Sequence, residues 1–494
     1  MRQMTVGELI RATGGKLVFG SEDGIFSAVS TDSRTVKEGD CFFALVGEKF
    51  DANSFLGEVA LAGCKVIVAS DEKKVNEIFS DGSHEAVSVI LVPSSLEALR
   101  RLAKSYLESL PLIGKIGVTG SVGKTSTRDM IYYVMSSKYK AARSVKNFNN
   151  AVGLPLSLLS FPPDTEIAVI EMGMDGKGSI DYNSSLVKPD TAVITNVGIS
   201  HIGNFPEDGR MGILNTKLEI CNYFDEHSLL VINTDNDMLE ALGDKGKLER
   251  GELLLVGSSE NADFSISSVI DRGSEGISFS LKHSGSSYGI SLGVPGAHNA
   301  INAALAIAVG ERYGISPDAA IEALKGAALT EKRLSVVEVR GIKIIDDTYN
   351  AAPESMKSAI NTLMSTDKET AGRHIAILGD MGELGKETEE SHREIGSYAY
   401  EKRVDVLLAI GEKSADMMRG WKEASKFAGG NIVELVKEPY IVLDDRYKLQ
   451  AEHFPEKETV MQGINEHLKP GDVVLLKASR YMEFEKIVKI ITGE

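Results

Sequence analysis

The sequence predicts an α/β protein of three domains, and three observations carry that expectation. At 494 residues the chain is long enough for about three units that each bury a core. Short apolar runs alternate with segments of helical spacing along most of its length, the pattern of mostly parallel, doubly wound sheets. Between one such run and the helix that follows lies a glycine-rich turn at residues 117–127, GVTGSVGKTST. The expected organisation is a small N-terminal α/β domain over 1–95 and a connecting helix over 96–111. A central, mostly parallel sheet carrying the glycine-rich loop follows over 112–329, then a C-terminal Rossmann-like α/β domain over 330–494.

Composition narrows the class. A net charge of −17 argues against a nucleic-acid partner, because phosphate backbones attract basic surfaces. Cys41, Cys64 and Cys221 lack metal-ligand spacing, and their odd number fits buried thiols in a reducing compartment. No N-terminal apolar segment resembles a signal peptide, and no stretch approaches the ~18 apolar residues of a membrane span. The expectation is a cytoplasmic protein without membrane insertion, a monomer by default.

In the first unit, strand-like runs occur at 41–46, 66–69 and 87–92. Between them, Ser30-Thr-Asp-Ser-Arg34 gathers hydroxyls, a carboxylate and a guanidinium into one polar loop. Thr31, Ser33 and Arg34 suit a sugar or phosphate, and suit a solvated turn equally. From Ser94 to Leu110, the residues Leu96, Leu99, Ala103, Tyr106, Leu107 and Leu110 fall at helical spacing until Pro111 ends the run.

The loop of the second unit follows the apolar residues Leu112, Ile113, Ile116 and Val118, with a helix expected over 126–139. Thr119, Gly120, Ser121, Gly123, Lys124, Thr125 and Ser126 have the character of a phosphate site. The glycines let backbone N–H groups turn inward, and the helix adds its positive end. Lys124 suits β- and γ-phosphate oxygens, and the Thr125 hydroxyl suits a bridging Mg²⁺, so ATP is the expected ligand. Val118 stands where the strict phosphate-loop pattern has its first glycine.

Ligands of doubly wound sheets bind beyond the carboxyl ends of the strands. Glu171 closes one apolar run and reads as a Mg²⁺ ligand or a strand-end acid; His201 follows another and reads as a ligand or a loop residue. Lys217 and Glu219 lie on an expected helix, where a lysine is ordinarily solvated. Asn299 and Asn302 open a small-residue helix and suit either an adenine edge or a helix cap. The segment 233–288 reads as a peripheral lobe of this domain. In the third unit, Arg333 precedes the strand-like run 342–345, which leads into Asp346-Asp-Thr-Tyr-Asn350. A second run, 375–378, leads into Gly379-Asp-Met-Gly-Glu-Leu-Gly385. Residues 417–449 give helix and strand signals without a chemical motif.

Together the loop 119–125, Glu171, Asn196 with His201, Lys217 with Glu219, and His298-Asn-Ala-Ile-Asn302 resemble the Mur ligases, over nearly the whole chain and in the family's order. The resemblance implies an ATP-dependent ligase of peptidoglycan precursor synthesis that makes an amide through an acyl phosphate. Lys124 and Thr125 would then contact ATP and Mg²⁺, Glu171 and His201 would hold metal, and Asn299 would lie against adenine. Arg333 would reach the nucleotide, and Asp347 the nucleotide or the incoming amine. Lys217 would carry a CO₂-derived carbamate that organises a second Mg²⁺.

Lys146-Asn-Phe-Asn-Asn150, the two third-domain segments and Lys477-Ala-Ser-Arg-Tyr-Met482 with Glu485 resemble the family member that adds D-alanyl-D-alanine to UDP-N-acetylmuramoyl-tripeptide. The Asp-Asn-Pro-Arg motif of its sibling is absent. By that resemblance Thr31, Ser33 and Arg34 hold the UDP end, and Asn149, Asn150, Tyr349 and Asn350 touch substrate. Ala352, where an asparagine is usual, and Asp51-Ala-Asn-Ser-Phe55, where Asp-Gly-His-x-Phe is usual, depart from the pattern. The alternatives are another Mur-type or folylpolyglutamate-type ligase, or a P-loop kinase or NTPase.

Overall fold

The structure is a computed structural model describing residues 1–82, 84, 86–145, 148–243, 248–327, 330, 332–367, 372–430, 432–435 and 440–493. Lys146 and Asn147 of the expected substrate segment lie outside the described residues. Three large sheets follow one another along the chain.

The first has five strands, ordered Lys16–Phe19, Ser88–Leu91, Val66–Ala69, Asp40–Phe43 and Ala28–Ser30, all parallel except the first. The run expected over 41–46 stops at Phe43 because the chain turns away; Val46 forms only an isolated bridge to Asp51 and is exposed. Asn53, at the histidine position of the expected motif, is buried, and its side-chain oxygen accepts the Ser70 N–H at 3.1 Å. It thereby ties its turn to the end of the neighbouring strand.

The central sheet has nine strands. Its pairings are parallel from Ala141–Arg143 through Ile167–Glu171, Gly114–Thr119, Thr191–Ile194, Leu229–Asn233 and Glu252–Gly257 to Phe264–Asp271. Gly114–Thr119 comes first in sequence yet sits inside, with Ile167–Glu171 on one side and Thr191–Ile194 on the other. The chain changes direction across the sheet there, which opens a crevice at the carboxyl ends of these strands. The segment 233–288 extends this same sheet: Phe264–Asp271, Ile277–His283 and Ser286–Leu292 form its antiparallel edge.

The C-terminal sheet has eight strands, with a parallel centre of Ile342–Asp346, Val473–Lys477, His374–Gly379, Val406–Ile410 and Leu449–Phe454. The signals at 417–449 resolve into the helix Ala415–Phe427 and the antiparallel edge strands Ile432–Leu435 and Tyr440–Asp444.

The helix expected to connect the first two units spans Ser95–Ser109, capped by the Ser94 side chain, which accepts the Glu97 N–H. It does more than connect. Ala98, Leu99, Leu102, Ala103, Tyr106 and Leu107 belong to one apolar cluster with Leu154, Leu158 and Phe161 of the central unit. The Tyr106 hydroxyl donates to Phe161 O at 2.7 Å and accepts the Arg2 N–H, while the Arg100 guanidinium lies 3.4 Å over the Tyr182 ring. No helix of the described residues is long and apolar enough to cross a membrane.

Because the Tyr106 hydroxyl satisfies a buried carbonyl, Tyr106→Phe should lower unfolding stability by about 1–2 kcal/mol, seen as an earlier urea midpoint.

Candidate active site

A cleft of about 490 Å³ lies between the central and C-terminal units, within the size range of small-molecule sites. Residues 121–126, Asn149, Glu171, His201 and Asn299 line one side, and Arg333, Asp347, Tyr349, Asn350 and Lys477 line the other.

The helix after the loop begins at Lys124, two residues before the expected start, because Gly123 takes a left-handed φ of +82° and ends the turn abruptly. Lys124 and Thr125 therefore sit in its first turn. The first intrahelical bond runs from Thr127 N to Gly123 O, so the N–H groups of Lys124, Thr125 and Ser126 have no intrahelical acceptor. These face the cleft as anion donors. Further back, the loop amides are already engaged: the Asn196 side-chain oxygen accepts the N–H of Ser121 at 3.0 Å and of Val122 at 2.8 Å. Gly120 admits no side chain, since a Cβ there would lie 1.9 Å from Thr195 Oγ1.

Lys124 donates to the carbonyls of Gly120 at 2.7 Å and Ser121 at 3.1 Å. Burial lowers its pKa, against the pull of Glu171. Glu171 is itself buried at its strand end: Thr125 Oγ1 donates to Oε2 at 2.8 Å, Asn149 Nδ2 to Oε1 at 2.8 Å, and Arg128 Nη1 approaches Oε2 at 3.4 Å. Arg128 also grips Asp129, and Asp129 in turn accepts the Thr330 N–H at 3.1 Å, at the chain's exit to the C-terminal unit.

His201 takes a φ of +65° after the neighbouring strand, and its Nδ1 pairs with Glu383 of the C-terminal unit. Lys217 is buried near these groups with no hydrogen bond or ion pair among the described residues. Burial, then the neighbouring charge of Lys124, holds its pKa well below the usual lysine value, which favours a neutral amine. Across the cleft Arg333 stacks on Tyr349 at 4.1 Å, and Lys477 joins Asp347 and the Asn350 carbonyl.

Several expected residues lie elsewhere. Thr119 closes its strand, buried behind the loop and off the cleft wall, and Gly120 acts through its conformation. Asn150 points its oxygen at the Gly153 N–H, 2.8 Å away, and caps the helix Gly153–Leu159, so it does not line the cleft. By contrast, Asn299 and Asn302 both line the cleft, and each engages its oxygen and its amide internally: Asn302 with Thr127 and Asn299, Asn299 with Asn302 and the Pro295 carbonyl. Glu219 accepts the N–H groups of Gly178 and Asp181 and orders the start of a helix. Thr31, Ser33 and Arg34 stay on the first sheet, away from the cleft, with Arg34 clamped on Asp32 at 2.9 and 2.7 Å.

Roles for Asn196, Lys477, Glu383 and Arg128 were missed. Lys477 and Glu383 both follow apolar strands, the signal that found Glu171; Arg128 sits within a helix and gives none.

Comparison with known proteins bears on the whole chain. Residues 118–310 match the Mur ligase middle domain and residues 332–480 the Mur ligase, glutamate ligase domain. A UDP-N-acetylmuramoyl-tripeptide–D-alanyl-D-alanine ligase of Bacillus subtilis (strain 168) is 35% identical over 485 residues, 98% of this chain and 96% of that protein. This chain belongs to the Mur ligase family. The fold of this Mur ligase is similar to that of MurF from Acinetobacter baumannii, with a TM-score of 0.82, 26% identity and full coverage of both chains. It is also similar to MurF of Thermotoga maritima in complex with ADP, with a TM-score of 0.75 and 26% identity, covering 94% of this chain and 97% of that one.

In this Mur ligase Arg128 lies between two buried carboxylates, Glu171, which has no other ion-pair partner among the described residues, and Asp129, which also pairs with Arg143 at 3.0 Å. Arg128→Met should therefore cost about 3–5 kcal/mol of stability, measured by urea unfolding.

Proposed function

We propose that this Mur ligase joins D-alanyl-D-alanine to UDP-N-acetylmuramoyl-tripeptide with ATP, in peptidoglycan precursor synthesis in the cytoplasm. The observation that carries the reading is the division of the cleft. A helix N-terminus, Lys124 and the Thr125–Glu171 pair come from one unit, Arg333, Asp347 and Tyr349 from the next. The activity for which the Bacillus subtilis relative is named, over nearly the full length of both chains, supports the substrates.

A carboxylate resists attack by an amine because its leaving group is poor. Transfer of the γ-phosphoryl group of ATP to the tripeptide carboxylate makes an acyl phosphate, and the dipeptide amine then displaces phosphate through a tetrahedral intermediate. The first step brings two anions together. Lys124 and the free N–H groups of residues 124–126 supply the opposing field, and Arg333 adds a guanidinium from the other wall. Asn299, buried on the wall, retains one side-chain donor and one lone pair for the adenine edge. Asp347 and Tyr349, with Asn350, face the reacting end, and Asn149 orients Glu171. Thr31, Ser33 and Arg34 on the first sheet serve the UDP end of the long substrate.

The residues present fit Mg²⁺. Thr125 Oγ1 and Glu171 Oε2 stand 2.8 Å apart, close to the roughly 2.9 Å between adjacent oxygens of an octahedral site with ~2.1 Å bonds. These two oxygens would hold the ion, and His201, whose Nδ1 is engaged by Glu383, would offer Nε2. When bound, the ion withdraws charge from the phosphoryl oxygens. Among the described residues no group of three or more His, Cys, Asp and Glu forms a ready metal cluster, as expected where phosphate and water complete the shell. Lys217 is suited to carbamylation, because a neutral amine is the form that adds CO₂, and the resulting anion would serve a second Mg²⁺.

Phosphate release, with ATP and tripeptides ending in either lysine or diaminopimelate, should require D-alanyl-D-alanine and give a matching mass gain. Release with single amino acids instead would discard the substrate assignment. Lys124→Ala should lower turnover by about 10²–10³ or more in the same assay, and substantial amide formation by that variant would refute its phosphate role. Stripping CO₂ from the buffer should reduce the wild-type rate, and bicarbonate should restore it; an unchanged rate would remove the carbamate.

A further inference from the structure

Glu383 reaches His201 from the far side of the cleft. It sits in the loop after the strand His374–Gly379, with a φ of +61°. That loop is fixed to the C-terminal unit: Ser414 donates N–H and hydroxyl to Asp380, Gly382 N donates to Ser479 Oγ at 2.8 Å, and Leu384 is buried. From this base Glu383 makes two contacts with the central unit. Its carbonyl accepts the Gly203 N–H at 3.2 Å, and its carboxylate engages His201 Nδ1.

The fit at this point leaves no room for adjustment. A Cβ on Gly385 would lie 2.8 Å from Gly203 Cα, and a Cβ on Gly203 would lie 3.1 Å from Glu383 O and from Gly385 N. Two backbones therefore touch directly where the carboxylate meets the imidazole. His201, itself left-handed and half-buried, has no second partner among the described residues to set its ring plane. With Nδ1 held by the carboxylate, Nε2 is the ring nitrogen left without a partner among the described residues, on a residue that lines the cleft.

We propose that Glu383 is a positioning residue that orients His201 for the ligase reaction only when the C-terminal unit is docked, so that closure and readiness of the site are one event. The inference rests on the reading of His201 as a cleft ligand. A carboxylate behind a ligating histidine fixes its tautomer and ring plane, and losing such a partner typically costs ten- to hundredfold in metal affinity or activity. Because the carboxylate belongs to the unit that also contributes Arg333 and Asp347, an open molecule lacks all three together.

The test uses the full-length enzyme in the D-alanyl-D-alanine-dependent phosphate assay. Glu383→Ala should lower kcat about ten- to hundredfold and raise the half-saturating Mg²⁺ concentration, leaving KM for the tripeptide substrate within about twofold. Glu383→Gln should recover most of the rate, since its amide oxygen accepts the same N–H. In a His201→Asn background with measurable residual rate, Glu383→Ala should have little further effect. A glutamine variant as slow as the alanine variant, or a full additional loss in the His201→Asn background, would overturn the positioning role. Absence of dipeptide-dependent release in the wild type would instead overturn the functional reading beneath it.

Discussion

The architecture of the site depends on burying the charge of Glu171. An ionised carboxylate taken out of water costs several kcal/mol unless it is matched by donors. Here the matching is shared between Thr125 and Arg128 of the phosphate-loop helix and Asn149 of the segment that precedes the helix Gly153–Leu159. Arg128 cannot serve one acid alone, because Asp129 beside it is equally buried, and Asp129 in turn holds Thr330. Glu171 and Asp129, bridged by Arg128, thus link the phosphate-loop helix, the segment around Asn149 and the exit to the C-terminal unit. Moving any of them exposes an unpaired charge.

The units are joined in two different ways. The Thr31–Arg34 loop follows a strand of the first sheet, and the phosphate loop follows a strand of the second. The first unit is joined to the second through a shared apolar core around the helix Ser95–Ser109, an interface that resists opening. The C-terminal unit meets the central one through polar contacts instead: Ser358 with His298 at 2.6 Å, Glu354 with the Ile199 N–H at 3.1 Å, and Glu383 with His201. Polar interfaces exchange readily with water, so this boundary is the one suited to opening and closing.

Much of this was legible in the chain because both sheets obey one rule: polar residues that follow apolar parallel strands collect at a common edge. Glu171, His201 and Asp347 were found that way. The rule is blind to distance across units, which is why Glu383 and Lys477 had no assigned role although both obey it. It is equally blind to competition for hydrogen bonds. Asn150 has the chemistry of a ligand reader, but the start of a helix satisfies its oxygen first. The strand expected over 41–46 was overrun for a similar reason, since apolar residues beyond Phe43 continue the pattern while the backbone turns. Residues 233–288 were read as a peripheral lobe because hairpin strands carry the same pattern whether they stand alone or extend a parallel sheet.

Lys217 poses the remaining electrostatic problem. Lys217 is buried, the charge of Lys124 adds to burial in disfavouring its ammonium, and it has no acid to compensate it among the described residues. A solvated surface lysine would face no such constraint. If the position only needed an apolar stem, an amine would be a costly way to provide it. A neutral amine beside a cation, however, is a nucleophile whose product with CO₂ is an anion, and that anion would meet Lys124 with attraction in place of repulsion. Burial is the larger cause of the shift and the charge of Lys124 the second, and only the second would turn from repulsion to attraction in a carbamate. A single modification would convert the least compensated group of the site into one able to hold a divalent cation next to the phosphates.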